Sequence, residues 1–95
     1  MNGKQRAFLR KMSQSYPVVV YIGKEGISLN VIDSVKQALE ARELIKCSVQ
    51  QNSDISAREA SDMLCSELGA EGISCAGRKF VIYKQSEKKI IEIGV

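Results

Sequence analysis

Ninety-five residues and 10.5 kDa read as one domain over residues 1–95, and 44% hydrophobic with 26% charged residues is a globular balance that excludes a bare disordered tail. The longest apolar run, Pro17 to Ile22, falls far short of the roughly 20 residues of a membrane span. The N-terminus also lacks the basic, apolar and small-residue succession of a secretion signal, so a cytoplasmic chain with no membrane partner is expected. The formal charge of +3 is a succession of +5 over residues 1–24, −5 over 25–75 and +3 over 76–95, which suggests a polyanion-facing surface if the fold reunites the two ends.

Asn2 can cap a first helix running to about Ser13, with Phe8, Leu9 and Met12 on one arc and Lys4, Arg6, Arg10 and Lys11 on the other. Such a basic face is most simply a solubilising one. Val18–Ile22 is a continuous β-branched and aromatic run, the pattern of a strand covered on both faces. After Gly23-Lys24-Glu25-Gly26, Ser28 or Asn30 can cap a helix to about Arg42 with Val31, Ile32, Val35, Ala38 and Leu39 inward. Leu44–Val49 then completes a βαβ unit, so these two strands should be parallel.

Ser56-Ala57-Arg58-Glu59 is a capping box that opens a helix to Leu68, with Gly69 as its stop. Ile73–Ala76 and Phe80–Lys84 read as a hairpin turning through Gly77-Arg78-Lys79, with Phe80 and Ile82 on one face and Val81 and Tyr83 on the other. Ile90–Ile93 can add an edge strand or pack as a tail. The order α-β-α-β-α-β-β makes an α/β fold: a mixed four-stranded sheet with packed helices.

The chemical inventory argues against catalysis. There is no histidine, the commonest general base and metal ligand. Cys47, Cys65 and Cys75 form no C-x-x-C pair and read as reduced, buried small hydrophobes. No P-loop, G-x-S-x-G or H-E-x-x-H pattern occurs. No enzyme, metal or cofactor is expected.

Two features point toward phosphate. Gly23-Lys24-Glu25-Gly26 joins a strand to a helix start, where open backbone and the helix dipole suit an anion. KH domains clamp single strands with a GXXG loop, although theirs joins two helices, and glycine turns between strands and helices are common. Arg78 and Lys79, at a hairpin tip, should be exposed. Phe80-Val81-Ile82-Tyr83 shares part of the RNP1 pattern but lacks its glycine-aromatic element, and an RRM has another strand order.

Gly3-Lys4-Gln5-Arg6, Pro17-Val18-Val19, Ile22-Gly23-Lys24-Glu25-Gly26-Ile27, the run Ala38 to Lys46, Gly77-Arg78 and Val81-Ile82-Tyr83-Lys84 together closely resemble the CRM domain, in particular the stand-alone bacterial YhbY-like proteins. The resemblance spans about residue 3 to residue 85. It implies an RNA-binding fold similar to the C-terminal domain of bacterial initiation factor three, in a family associated with precursors of the large ribosomal subunit and, in plant organelles, with intron splicing. The family's GxxG loop falls on Gly23, Lys24, Glu25 and Gly26, and its basic turn on Gly77 and Arg78. Lys84-Gln85 stands where members tend to have Arg followed often by Pro, which keeps the charge without a bidentate fork.

The expected RNA-binding set is therefore the loop Gly23, Lys24, Glu25 and Gly26, with Glu25 turned away from RNA. To it are added Lys4, Arg6, Arg10 and Lys11, the turn residues Gly77, Arg78 and Lys79, and Lys84. The expected partner is ribosomal RNA or a large-subunit precursor particle, with ribosomal proteins as further partners of a monomeric chain. The alternative is a protein-binding adaptor that docks on a basic ribosomal protein through the acidic helices, by Glu59, Asp62 and Glu67.

Overall fold

The computed structural model describes residues 1–93. Helices α1 (Gly3–Ser13), α2 (Leu29–Arg42) and α3 (Ala57–Leu68) alternate with strands β1 (Val18–Ile22) and β2 (Leu44–Val49), and the hairpin strands β3 (Glu71–Ala76) and β4 (Lys79–Tyr83) follow. The strands form one sheet in the order β1-β2-β4-β3. β1 is parallel to β2, and β4 lies antiparallel to both β2 and β3.

Each helix begins where a side chain takes up a free amide. Asn2 and Gln5 form a reciprocal capping box at α1, and Ser56 and Glu59 form another at α3. Of the two caps considered for α2, Ser28 is the one used: its hydroxyl accepts from the Val31 N–H at 3.2 Å. Gly69, left-handed at φ 69°, ends α3.

Two cores sandwich the sheet. α2 and α3 cover one face, where Val35, Leu39, Ala60 and Leu64 meet Ile22, Ile45, Cys47, Phe80 and Ile82. On the other face, Leu9 of α1 packs on Leu44, Ile73, Val81 and Tyr83, with Met12, Tyr16, Ile91 and Ile93 at the margin. The alternation in β4 thus divides as its sequence predicts. Residues 90–93 form no strand; Ile91 and Ile93 pack as a tail.

Several expectations are corrected. β1 is not covered on both faces: it is an edge strand, and Tyr21 is 59% exposed. Phe8 is likewise 39% exposed, leaving Leu9 as the fully buried residue of its arc. Of the three thiols only Cys47 is buried; Cys65 is half-buried and Cys75, on edge strand β3, is exposed. Burial, with the neighbouring Cys65 adding to it, pushes the Cys47 thiol up to about 12. β3 begins two residues earlier than expected, at Glu71, and Lys79 belongs to β4, so the turn itself is Gly77-Arg78.

Glu43, between α2 and β2, is fully buried and sits at φ 67°. Its Oε2 accepts from both the N–H and the hydroxyl of Ser86 at 2.7 Å, and its Oε1 accepts from the Ile91 N–H at 2.6 Å. Its backbone carbonyl accepts from the Lys84 N–H at 2.9 Å. One carboxylate therefore fastens the C-terminal tail at the end of the sheet where β2 begins. Burial pushes its pKa up, but the bonds from Ile91, Ser86 and Ile90 outweigh burial and hold it below the ordinary glutamate value.

Candidate functional site

The strand order brings three turns to the opposite end of the sheet. β1 and β2 run side by side until Ile22 pairs with Val49. The Val49 N–H then donates to the Arg78 carbonyl at 2.8 Å, and the Gln50 N–H donates to the Ile22 carbonyl at 2.8 Å. Neighbouring strands lie about 4.8 Å apart, so the turn after β1 and the turn before β4 start only about 10 Å from one another. Lys24, Arg78 and Lys79, all exposed, therefore share one end of the molecule.

The Gly23–Gly26 loop is a tight turn. The Gly26 N–H donates to the Gly23 carbonyl at 3.1 Å, which lifts Lys24 and Glu25 to the exposed tip. Each glycine has its own reason. A Cβ on Gly23 would stand 3.0 Å from Gln50 Oε1, while Gly26 adopts φ 65° with only Ile55 near, at 3.9 Å. Gly26→Ala should therefore act through strain rather than collision and destabilise the fold by about 1–2 kcal/mol, measurable as a lower urea midpoint with an unchanged m-value.

α1 points its C-terminal turn at this same end. Near its start, the Arg6 Nε donates to the Gly72 carbonyl at 3.0 Å and its guanidinium pairs with Glu71 at 3.4 Å, at the beginning of β3. Four residues on, Arg10 lines a groove of ≈ 290 Å³ with Gln14, Lys46, Ser74, Ala76 and Lys79. The groove carries three cationic side chains and no acidic one.

The expected residues thus divide. Gly23, Lys24, Glu25, Gly26, Gly77, Arg78 and Lys79 come together, and Arg10 joins them through the groove, with Lys11 exposed beside it in the last turn of α1. Arg6 does not: its Nε is held by the Gly72 carbonyl and its guanidinium pairs with Glu71 at the beginning of β3. Lys4 lies still nearer the start of α1. Lys84, just past the other end of β4, is about 17 Å from Lys79 at the usual rise per residue. Sequence reasoning misses Lys46 because it sits within an apolar strand. Its place in the alternation Leu44, Lys46, Ser48 assigns it to the face of α1 and is readable from the period of two.

Most acids lie elsewhere: Asp33, Glu40, Asp62 and Glu67 are exposed on α2 and α3, across the sheet from the groove, whereas Glu25 shares the loop tip with Lys24 and Asp54 is exposed in the connection that follows β2. Among the described residues no cluster of His, Cys, Asp or Glu could hold a metal ion. No described helix is long and apolar enough to cross a membrane. The cationic end presents lysine and arginine side chains beside an open-backbone turn, a combination that can hold phosphate groups through charge and N–H donors.

Comparison with known proteins gives concordant results. A model of the CRS1 / YhbY (CRM) domain matches residues 1–84. The chain is 36% identical over 94 residues to the "Probable RNA-binding protein YqeI" of Bacillus subtilis (strain 168), covering 98% of both chains. The solution structure of the hypothetical protein SAV1595 from Staphylococcus aureus superposes with a TM-score of 0.81 at 36% identity, again covering 98% of each chain. That likeness extends to the order of helices and strands in the mixed four-stranded sheet.

Proposed function

Because the chain belongs to the CRS1 / YhbY (CRM) family, we propose that it is an RNA-binding protein whose interface is the loop end of the sheet and whose target is the RNA of large-ribosomal-subunit precursors. The observation that carries this reading is the convergence of Lys24, Arg78 and Lys79, whose turns are joined through β2 by the Gln50-to-Ile22 and Val49-to-Arg78 backbone bonds. The name of the Bacillus subtilis relative supports RNA as the polyanion. The GxxG loop approaches the phosphate backbone, while Arg10, Lys46 and Lys79 extend the positive surface along the sheet. Affinity is then chiefly electrostatic and falls with salt, with a slope of about −0.7 per neutralised phosphate on single strands.

Co-sedimentation tests the reading. The protein should travel with large-subunit precursor particles in low-salt gradients and leave them as salt rises, and crosslinking should join it to their RNA. Sedimentation only as free protein at every salt concentration would refute the ribosomal target. The adaptor alternative is separated in the same assay by Asp62→Asn with Glu67→Gln: loss of the particle with binding to free RNA intact would favour it. Glu59 is a poor docking group, since its carboxylate accepts from the Ser56 N–H at 3.0 Å.

A further inference from the structure

α1 packs against β2 and β3 around Leu44, Ile73, Val81 and Tyr83, toward the end of the sheet where β2 begins. In register nearer the loop end run Tyr21 of β1, Ser48 of β2, Lys79 of β4 and Ala76 of β3, each the pairing partner of the next. Partners in register present their side chains to one face, so this row is continuous from one sheet edge to the other. Tyr21 is 59% exposed. It stands next to Ile22 and the Gly23–Gly26 turn, on a face whose groove is cationic and free of acids.

Tyr21 thus offers an exposed aromatic ring on the same sheet face as the cationic groove, with Ser48 between it and Lys79. The same pairing of a ring with cations is what an unpaired nucleotide requires: the base stacks on the ring while its phosphates meet lysine and arginine. A duplex keeps its bases stacked on one another and offers chiefly backbone and groove. We propose that Tyr21 is a stacking platform for an unpaired base, with Lys79, Lys46 and Arg10 holding the flanking phosphates, so that the protein selects single-stranded over duplex RNA.

This rests on the RNA-binding reading and adds to it a side chain and a class of RNA. The chain contains no tryptophan, so Tyr21→Trp introduces a lone reporter at the platform. Titration with a single-stranded oligouridylate of about 12 nucleotides, within the usual site size, should quench that fluorescence. Tyr21→Ala should weaken oligouridylate binding at least fivefold, as expected when one stack worth about 1–3 kcal/mol is removed, while the salt slope stays that of wild type. Tyr21→Phe should restore binding to within about twofold, since the ring and not the hydroxyl does the stacking.

Unquenched indole fluorescence in Tyr21→Trp, together with wild-type affinity in Tyr21→Ala, would overturn the platform and leave RNA binding standing. Tighter binding of a blunt RNA duplex than of oligouridylate would overturn the single-strand preference. If wild type bound neither probe, the RNA-binding reading itself would fail, and the platform with it.

Discussion

Replacing Lys24 and Arg78 together by glutamate is expected to lower RNA affinity at least about tenfold at physiological salt and to flatten the salt dependence by about 0.7 for each phosphate no longer neutralised. Both side chains are exposed in turns, so circular dichroism and the unfolding midpoint should stay close to wild type. The informative control is Lys4→Glu with Lys84→Glu. That pair changes net charge by the same amount but lies at the other end of the sheet, near the start of α1 and beyond β4. It should retain most of the affinity, because charges within a Debye length of the phosphates dominate over the distant field. Equal losses in the two pairs would mean that binding follows net charge rather than the loop end.

Glu43 should have the largest effect on stability. Removal of its carboxylate by Glu43→Ala leaves the half-buried donors of Ser86 and Ile91 without their charged acceptor. The cost should reach roughly 3 kcal/mol or more, lowering Tm by on the order of 15 °C for a domain this size. Truncation before Ser86 should also destabilise the fold, since it removes the donors to Glu43 together with the tail residues Ile91 and Ile93 that pack on the α1 face of the sheet. The left-handed φ of 67° is strained for a non-glycine residue, by about 1–3 kcal/mol, and these charge-assisted bonds offset that strain.

The pH dependence follows from the depressed folded-state pKa of Glu43. Its contribution is fully present above the unfolded glutamate value of about 4.3 and is lost as pH falls through the lower, folded value. Thermal melts of wild type should therefore lose stability in acid, and Glu43→Ala should flatten that loss. A Glu43→Ala protein with wild-type Tm would show that the tail is not fastened there. Because Glu43 lies at the far end of the sheet, the folded variant should keep its RNA affinity.

Much of this was legible in the residues. Capping groups fix where α1, α2 and α3 start, since each satisfies a backbone amide locally. The Phe80, Val81, Ile82, Tyr83 alternation likewise assigns both faces of β4 before any partner is known. What depends on strand order was not legible. A β-branched run such as Val18–Ile22 reads the same at an edge as at a centre, so the exposure of Tyr21 appears only with β1 outermost. The same holds for Cys75 on β3.

The candidate site shows a similar division. Lys24 and Arg78 sit in turns that their glycines announce, and the sheet then brings those turns together. Arg6 carries the same charge on the same helix as Arg10, yet it is directed to Glu71 and the Gly72 carbonyl. Those partners lie more than sixty positions away, beyond the reach of any local pattern. The role of Glu43 was hidden for the same reason: nothing local distinguishes a carboxylate destined for burial among distant N–H groups.

The end of the sheet carrying the Gly23–Gly26 and Gly77-Arg78 turns is the proposed RNA interface. Amide chemical-shift mapping by NMR during titration with single-stranded oligouridylate tests it most directly. Shifts should concentrate on Tyr21 to Gly26, on Ser48 and Val49, and on Gly77 to Phe80, with Arg10 and Gln14 at the margin. Shifts confined to the outward faces of α2 and α3, with those turns unmoved, would contradict it.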